Sequence, residues 1–113
     1  MKQPFHKTKL CFCYKLETQA GSYYGISNQP HKRLIQHLFS GRFKGHWHFE
    51  LLMWDIDPVL VAAAEIECIV NGKKSGQVIL NNSVGGEFPW RTKKQKLEVK
   101  RMQKEAKEEL KNL

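Results

Sequence analysis

The sequence predicts an α+β fold, a small three-stranded antiparallel sheet flanked by helices in the order β-β-α-β-α, followed by a basic C-terminal helix. Three observations predict it. Residues 9–17, KLCFCYKLE, alternate in polarity, and residues 22–27, SYYGIS, return after the turn signal TQAG, which reads as a hairpin. Asn28 and Pro30 then stand where a helix cap and a first helical residue belong. Asp57-Pro58 repeats that signal ahead of the apolar run VLVAAAEIECIV.

The first helix is expected to turn Leu34, Ile35 and Leu38 towards the core and to end near Ser40-Gly41. Residues 46–57, HWHFELLMWDID, read as a strand with aromatics on both faces, which suits a central or covered position with Trp47 and Trp54 in the core. The second helix is apolar nearly all round, so it should be largely buried, with Asn71-Gly72 closing it. Residues 77–82, QVILNN, read as a short strand or extended segment running into the glycine-rich SVGGEF. From Arg91 a charged helix follows whose thin apolar stripe is Leu97, Met102, Ala106 and Leu110. The chain therefore divides into a domain over 1–90 and a basic helical tail over 91–113.

A length of 113 residues suits one domain, and 41% hydrophobic with 27% charged residues is a globular composition. No apolar run approaches the roughly 20 residues of a membrane span, and the N-terminal MKQPFHKTKL has no apolar core behind its charges. A soluble protein without membrane partners is expected, cytoplasmic or nucleoid-associated. Three cysteines without framework spacing fit a reducing compartment. Cys11 and Cys13 share a strand face and read as core, while with Cys68 and a histidine they would be the raw material of a zinc site. The net charge of +8 favours a polyanionic partner, nucleic acid first.

Strand and helix periods gather a set of chemically capable residues. A hairpin can bring Tyr14 near Tyr23, which shares a face with Gly25. Arg33 and His37 stand four apart on the first helix, one above the other. Glu65 interrupts an apolar run, where a carboxylate is costly unless it is paired or holds a cation. Asn81 and Asn82 precede the pair Gly85-Gly86. Each has a plainer reading: tyrosine favours sheets, Arg33 and His37 suit a solvated helix face, Glu65 could pair with a base, and Gly85-Gly86 is a loop. His46 and His48 share a strand face and read as surface or groove histidines, or as metal ligands.

Taken in order, these residues resemble the GIY-YIG nuclease family. CYK, with Tyr14, stands where the first motif ends, and YYG, residues 23–25, stands for the second. RLIQH matches the helical Arg with a His four later, AEIECI resembles the helix of the metal-binding glutamate, and LNNSVGG resembles the terminal Asn segment. The likeness spans roughly residues 9–86. Phe12-Cys13 replace the first motif's Gly-Ile, and Tyr24 stands at the middle of the second.

The resemblance implies an endonuclease that hydrolyses DNA with Mg2+ or Mn2+. Glu65 would hold the cation, Arg33 would clamp the phosphate, and Tyr14 would be the general base for water or hydrogen-bond it. Tyr23 would orient water or phosphate, His37 would touch phosphate or assist proton transfer, and Asn81 (or Asn82) would fix geometry or touch DNA. An ordinary phenol costs about 4 kcal/mol to ionise at neutrality, so Lys32, Arg33 and the cation are expected to lower the Tyr14 pKa. Lys32 and, on the tail helix, Lys93, Lys94 and Lys96 are expected to track the phosphate backbone. With no room for a recognition domain, sequence preference should be weak or come from a homodimer or a partner protein. The alternative is a non-catalytic basic nucleic-acid-binding module with the same fold.

Overall fold

The computed structural model describes residues 10–41 and 47–112. The elements are β1 (Cys11–Thr18), β2 (Gly21–Ser27), α1 (Pro30–Ser40), β3 (His48–Asp55), α2 (Pro58–Lys74) and α3 (Lys93–Lys111). The three strands form one antiparallel sheet in the order β2-β1-β3, the α+β architecture the sequence predicts. The hairpin turn is held by Thr18, whose Oγ1 accepts from the backbone N–H of Ala20 and Gly21 and donates to the Gly21 carbonyl.

Two expectations about β3 are corrected. It is an edge strand, not a central one, because β1 takes the middle and pairs on both sides. Aromatics on both of its faces reflect half-burial: Trp54 leaves 54% of its surface exposed beside Phe12, and Trp47 is half-buried. His48 is exposed, and His46 lies outside the described residues.

Helix α1 starts with Pro30 in its first turn, but the cap position is Gln29 and not Asn28. Its end at Ser40, with Gly41 left-handed at φ 68°, is as expected. The face turned inward is not the expected one. His37 is the buried residue of α1, while Ile35 and Leu38 are exposed and Leu34 is half-buried. The helix lies against the β2 side of the sheet through an aromatic contact, so the apolar side chains one turn away stay in water.

Helix α2 begins as expected, with the Asp57 carboxylate accepting from the Val59 N–H at 3.0 Å and Pro58 in the first turn. It does not stop at Asn71-Gly72 but runs on to Lys74. Gly72 serves close packing, since a Cβ there would lie 2.7 Å from Ile79 Cδ1. The apolar character all round α2 has a simple cause. One side packs with Cys11, Cys13 and Ile26 of the sheet, and another meets Val84 and Ala106 of α3. Cys11 and Cys13 are thereby core residues, and their burial raises both thiol pKa values, that of Cys11 to about 11.

The C-terminal helix is part of this core rather than an appendage. A capping box between Thr92 and Gln95 starts α3, and Val99, Met102, Ala106 and Leu110 form its inward stripe. Leu97, expected in that stripe, is 66% exposed, and Val99 takes the place with 1% exposure. The segment around Ile79 is not a full strand. It lies parallel along the free edge of β2, with Ser22 donating to the Val78 carbonyl and accepting from the Leu80 N–H. Among the described residues no helix is long and apolar enough to cross a membrane.

Candidate active site

The hairpin register sets Tyr14 opposite Gly25 and Tyr23 opposite Leu16. Because the side-chain period is two, all four share one face. The Tyr14 ring runs across Gly25 so closely that a Cβ at 25 would sit 2.4 Å from both Cζ and Oη. Beyond the glycine the Tyr14 hydroxyl is hydrogen-bonded to His37 Nε2 at 2.8 Å. Tyr23 meets the same imidazole edge-on at 5.4 Å between centroids, and Phe49 of β3 stacks on Tyr14 at 5.2 Å. Sequence spacing brought out three of these partners; Phe49 carried no signal beyond its place in an aromatic strand.

Tyr14 is fully buried, and this reverses the expected direction of its pKa. Burial pushes the phenol up to about 12, Tyr23 adds to the rise, and the nearby Arg33 offsets only part of it. Desolvation outweighs Arg33 even though its guanidinium reaches the Tyr14 hydroxyl, because Arg33 is exposed and also donates to Gln36 Oε1 at 3.2 Å. The phenol therefore stays protonated at neutral pH. Lys32 is exposed one residue before Arg33.

Glu65 is 4% exposed and, among the described residues, no Lys or Arg forms an ion pair with it, which removes the plainer reading of a carboxylate paired with a base. Its Oε1 accepts instead from the Gly86 N–H at 2.6 Å. A Cβ on Gly85 would approach that same oxygen to 2.9 Å, so both glycines are needed for the backbone to come this close. The glycine pair is not a plain loop. Its carbonyls are pinned in turn, Gly86 by Trp90 Nε1 and Gly85 by Gln103 Nε2 of α3. Burial lifts the Glu65 pKa to about 7, with the Gly86 N–H opposing the rise and Glu87 adding to it.

The second carboxylate oxygen accepts no hydrogen bond from the described residues. Since no fully buried side-chain oxygen there lacks a partner, Oε2 keeps some contact with solvent although Glu65 is only 4% exposed. One tethered oxygen and one that solvent reaches suit a hard cation that keeps most of its waters, and Mg2+ or Mn2+ fits on that ground. Among the described residues no three His, Cys, Asp or Glu converge as a metal set, so Cys11, Cys13 and Cys68 do not build one. Glu65 is also felt at Tyr14, where its charge contributes a small part of the pKa rise.

No known family model, curated protein or solved structure matches the chain. The geometry of its own residues carries the functional argument.

Asn81 stands apart from the tyrosine cluster. Its Oδ1 accepts from the Tyr24 N–H at 2.9 Å and its Nδ2 donates to the Tyr24 carbonyl at 2.7 Å, which clamps the 78–82 segment to β2. Asn82 is exposed. Replacing Asn81 with alanine is expected to cost about 2 kcal/mol by leaving both Tyr24 backbone groups without this partner. A denaturant midpoint unchanged in Asn81→Ala would refute the clamp. Lys93, Lys94 and Lys96 occupy the exposed first turn of α3.

Proposed function

We propose that this chain is a divalent-cation-dependent endonuclease of the GIY-YIG type, acting on DNA with little intrinsic sequence preference. The observation that carries the reading is Glu65, a buried carboxylate without a cationic partner among the described residues, held by one backbone N–H through one of its two oxygens. A carboxylate so placed is costly to ionise and is best repaid by a cation. The Tyr14–His37 hydrogen bond, with Tyr23 edge-on to the same imidazole and Arg33 at the rim, supports the same reading.

A bound Mg2+ or Mn2+ would neutralise phosphate charge and acidify water. The protein's part follows from the protonation states. Ionising a phenol of pKa about 12 at pH 7 costs about 7 kcal/mol, too much for a free phenolate base. Tyr14 instead keeps its proton and, through its hydrogen bond to Nε2, holds His37 in place to take the proton of the attacking water. The water oxygen bonds to phosphorus while the bond to the leaving sugar oxygen breaks, and that oxygen takes a proton from solvent. Tyr23 holds His37 edge-on, and Arg33 offers its planar fork to the phosphate. Lys32, Lys93, Lys94 and Lys96 supply sequence-independent contacts to the backbone. A cytoplasmic or nucleoid-associated location goes with this reading.

Nicking of supercoiled plasmid, with Mg2+, with Mn2+ and with chelator, tests it. Metal-dependent nicking is expected in the wild type. It should be absent in Glu65→Ala and reduced about 100-fold or more in Tyr14→Phe, while DNA binding persists in both. DNA binding without nicking of plasmid, branched or single-stranded substrates would instead assign a non-catalytic nucleic-acid-binding module.

A further inference from the structure

Helix α3 carries a second pattern besides its inward stripe. Lys94, Leu97, Arg101, Glu105, Glu108 and Asn112 follow one another at spacings of three and four, so they line one continuous face. All six are exposed, Leu97 conspicuously so. The face is basic at its N-terminal end and acidic at its C-terminal end.

The acidic end borders a groove of about 630 Å3 between α2 and α3. Its walls carry Glu67, Glu105, Glu108 and Glu109, and its floor includes Ile66 and Met102. On a chain of net charge +8, this is a surface that repels a nucleic acid. Its occupant is cationic with an apolar anchor, and the basic end of α3 presents that combination in Lys94, Leu97 and Arg101.

We propose that the groove receives the N-terminal half of α3 from a second copy of this chain, giving a two-fold dimer through antiparallel α3 helices. Because donor face and groove lie at opposite ends of one helix, a single two-fold axis satisfies both contacts at once. Pairing about Met102, the middle of the helix, brings Arg101 within two residues of Glu105 of the second copy and Lys94 within two residues of its Glu108, offsets their long side chains span. Leu97 seats over the apolar floor. The ion pairs already made within the chain, Arg101–Glu105 at 2.9 Å and Lys74–Glu109 at 3.0 Å, are more than 40% exposed and are exchanged at little cost. Lys93 and Lys96 lie off this face and stay available to phosphate. The dimer withdraws Lys94 from the phosphate contacts of the nuclease reading and leaves the rest of that reading untouched.

The test is sedimentation equilibrium of the full chain at about 100 µM, in low and high salt, a range that resolves a micromolar Kd. The wild type is expected at twice its 13.2 kDa monomer mass in low salt, shifting towards monomer in high salt. Lys94→Glu and Glu108→Lys, each alone, set like charges against one another and should be monomeric. An equimolar mixture of the two restores every opposite-charge contact and should dimerise again, which also shows that both variants are folded. A wild type that is monomeric in low salt overturns the proposal, as does a mixture that fails to associate. A monomer that binds an oligolysine peptide through Glu105 and Glu108 would overturn it too, assigning the groove to another protein's basic segment.

Discussion

Replacing Glu65 with glutamine is expected to stabilise the cation-free protein by roughly 3 kcal/mol at pH 8 while abolishing cleavage. Glutamine keeps the shape of the side chain and an Oε1 to accept from the Gly86 N–H, and removes only the charge. In the unfolded chain Glu65 ionises near 4.5, whereas in the fold it ionises near 7. Between those values the folded state holds a proton that the unfolded state has released. Stability from this group is therefore intact below pH 4.5 and falls as pH rises to 7, after which the loss is constant. The variant should match the wild type near pH 4 and exceed it at pH 8, as read from urea midpoints in chelator. Added Mg2+ should raise the wild-type midpoint and leave that of the variant unmoved, because only the carboxylate takes the cation. Equal midpoints at pH 8 would mean that the carboxylate pays no burial cost and would remove the main reason to give it a cation.

Gly25→Ala is expected to be the most damaging small substitution. Its Cβ would fall 2.4 Å from two atoms of the Tyr14 ring and 2.8 Å from a third. The ring has no room to yield, being fully buried between Phe49 and His37. Nor does the strand, since β2 is paired with β1 on one edge and held by the Val78–Leu80 segment on the other. A loss of about 3 kcal/mol follows from such overpacking, or roughly 15 °C in Tm for a domain of this size. Combining Gly25→Ala with Tyr14→Ala should cost less than the sum of the two single changes, because the second removes the atoms in conflict. Strict additivity of the two, measured by chemical denaturation, would show that the clash is relieved elsewhere.

Much of the architecture was legible because local chemistry and period agreed. The hairpin, the Asp57-Pro58 start of α2 and the three-strand count needed only alternation, turn residues and caps. The errors share one cause: they concern which neighbour covers a side chain. Ile35, Leu38, Trp54 and Leu97 are apolar and periodic, yet water covers them, because the apolar area of a small chain exceeds its core. Gly72 carries the composition of a helix end and sits inside α2, because Ile79 fills the space where its Cβ would be.

The candidate site divides the same way. Tyr14, Tyr23, Arg33, His37 and Glu65 stood out by type and spacing, and the sheet register together with α1 brings Tyr14, Tyr23 and His37 into contact. Their protonation states could not be read in advance. Charge near Tyr14 is visible in the sequence as Lys32 and Arg33, but the burial that outweighs it belongs to the packed molecule. The role of Gly85-Gly86 is hidden likewise, since it depends on α3 pinning a distant loop against Glu65. The sequence by itself determined the elements, their order and the inventory of reactive groups, because those follow from local backbone preference and period. Only the tertiary structure decided which groups are desolvated, which meet, and which proton each holds, because desolvation and contact depend on neighbours far along the chain.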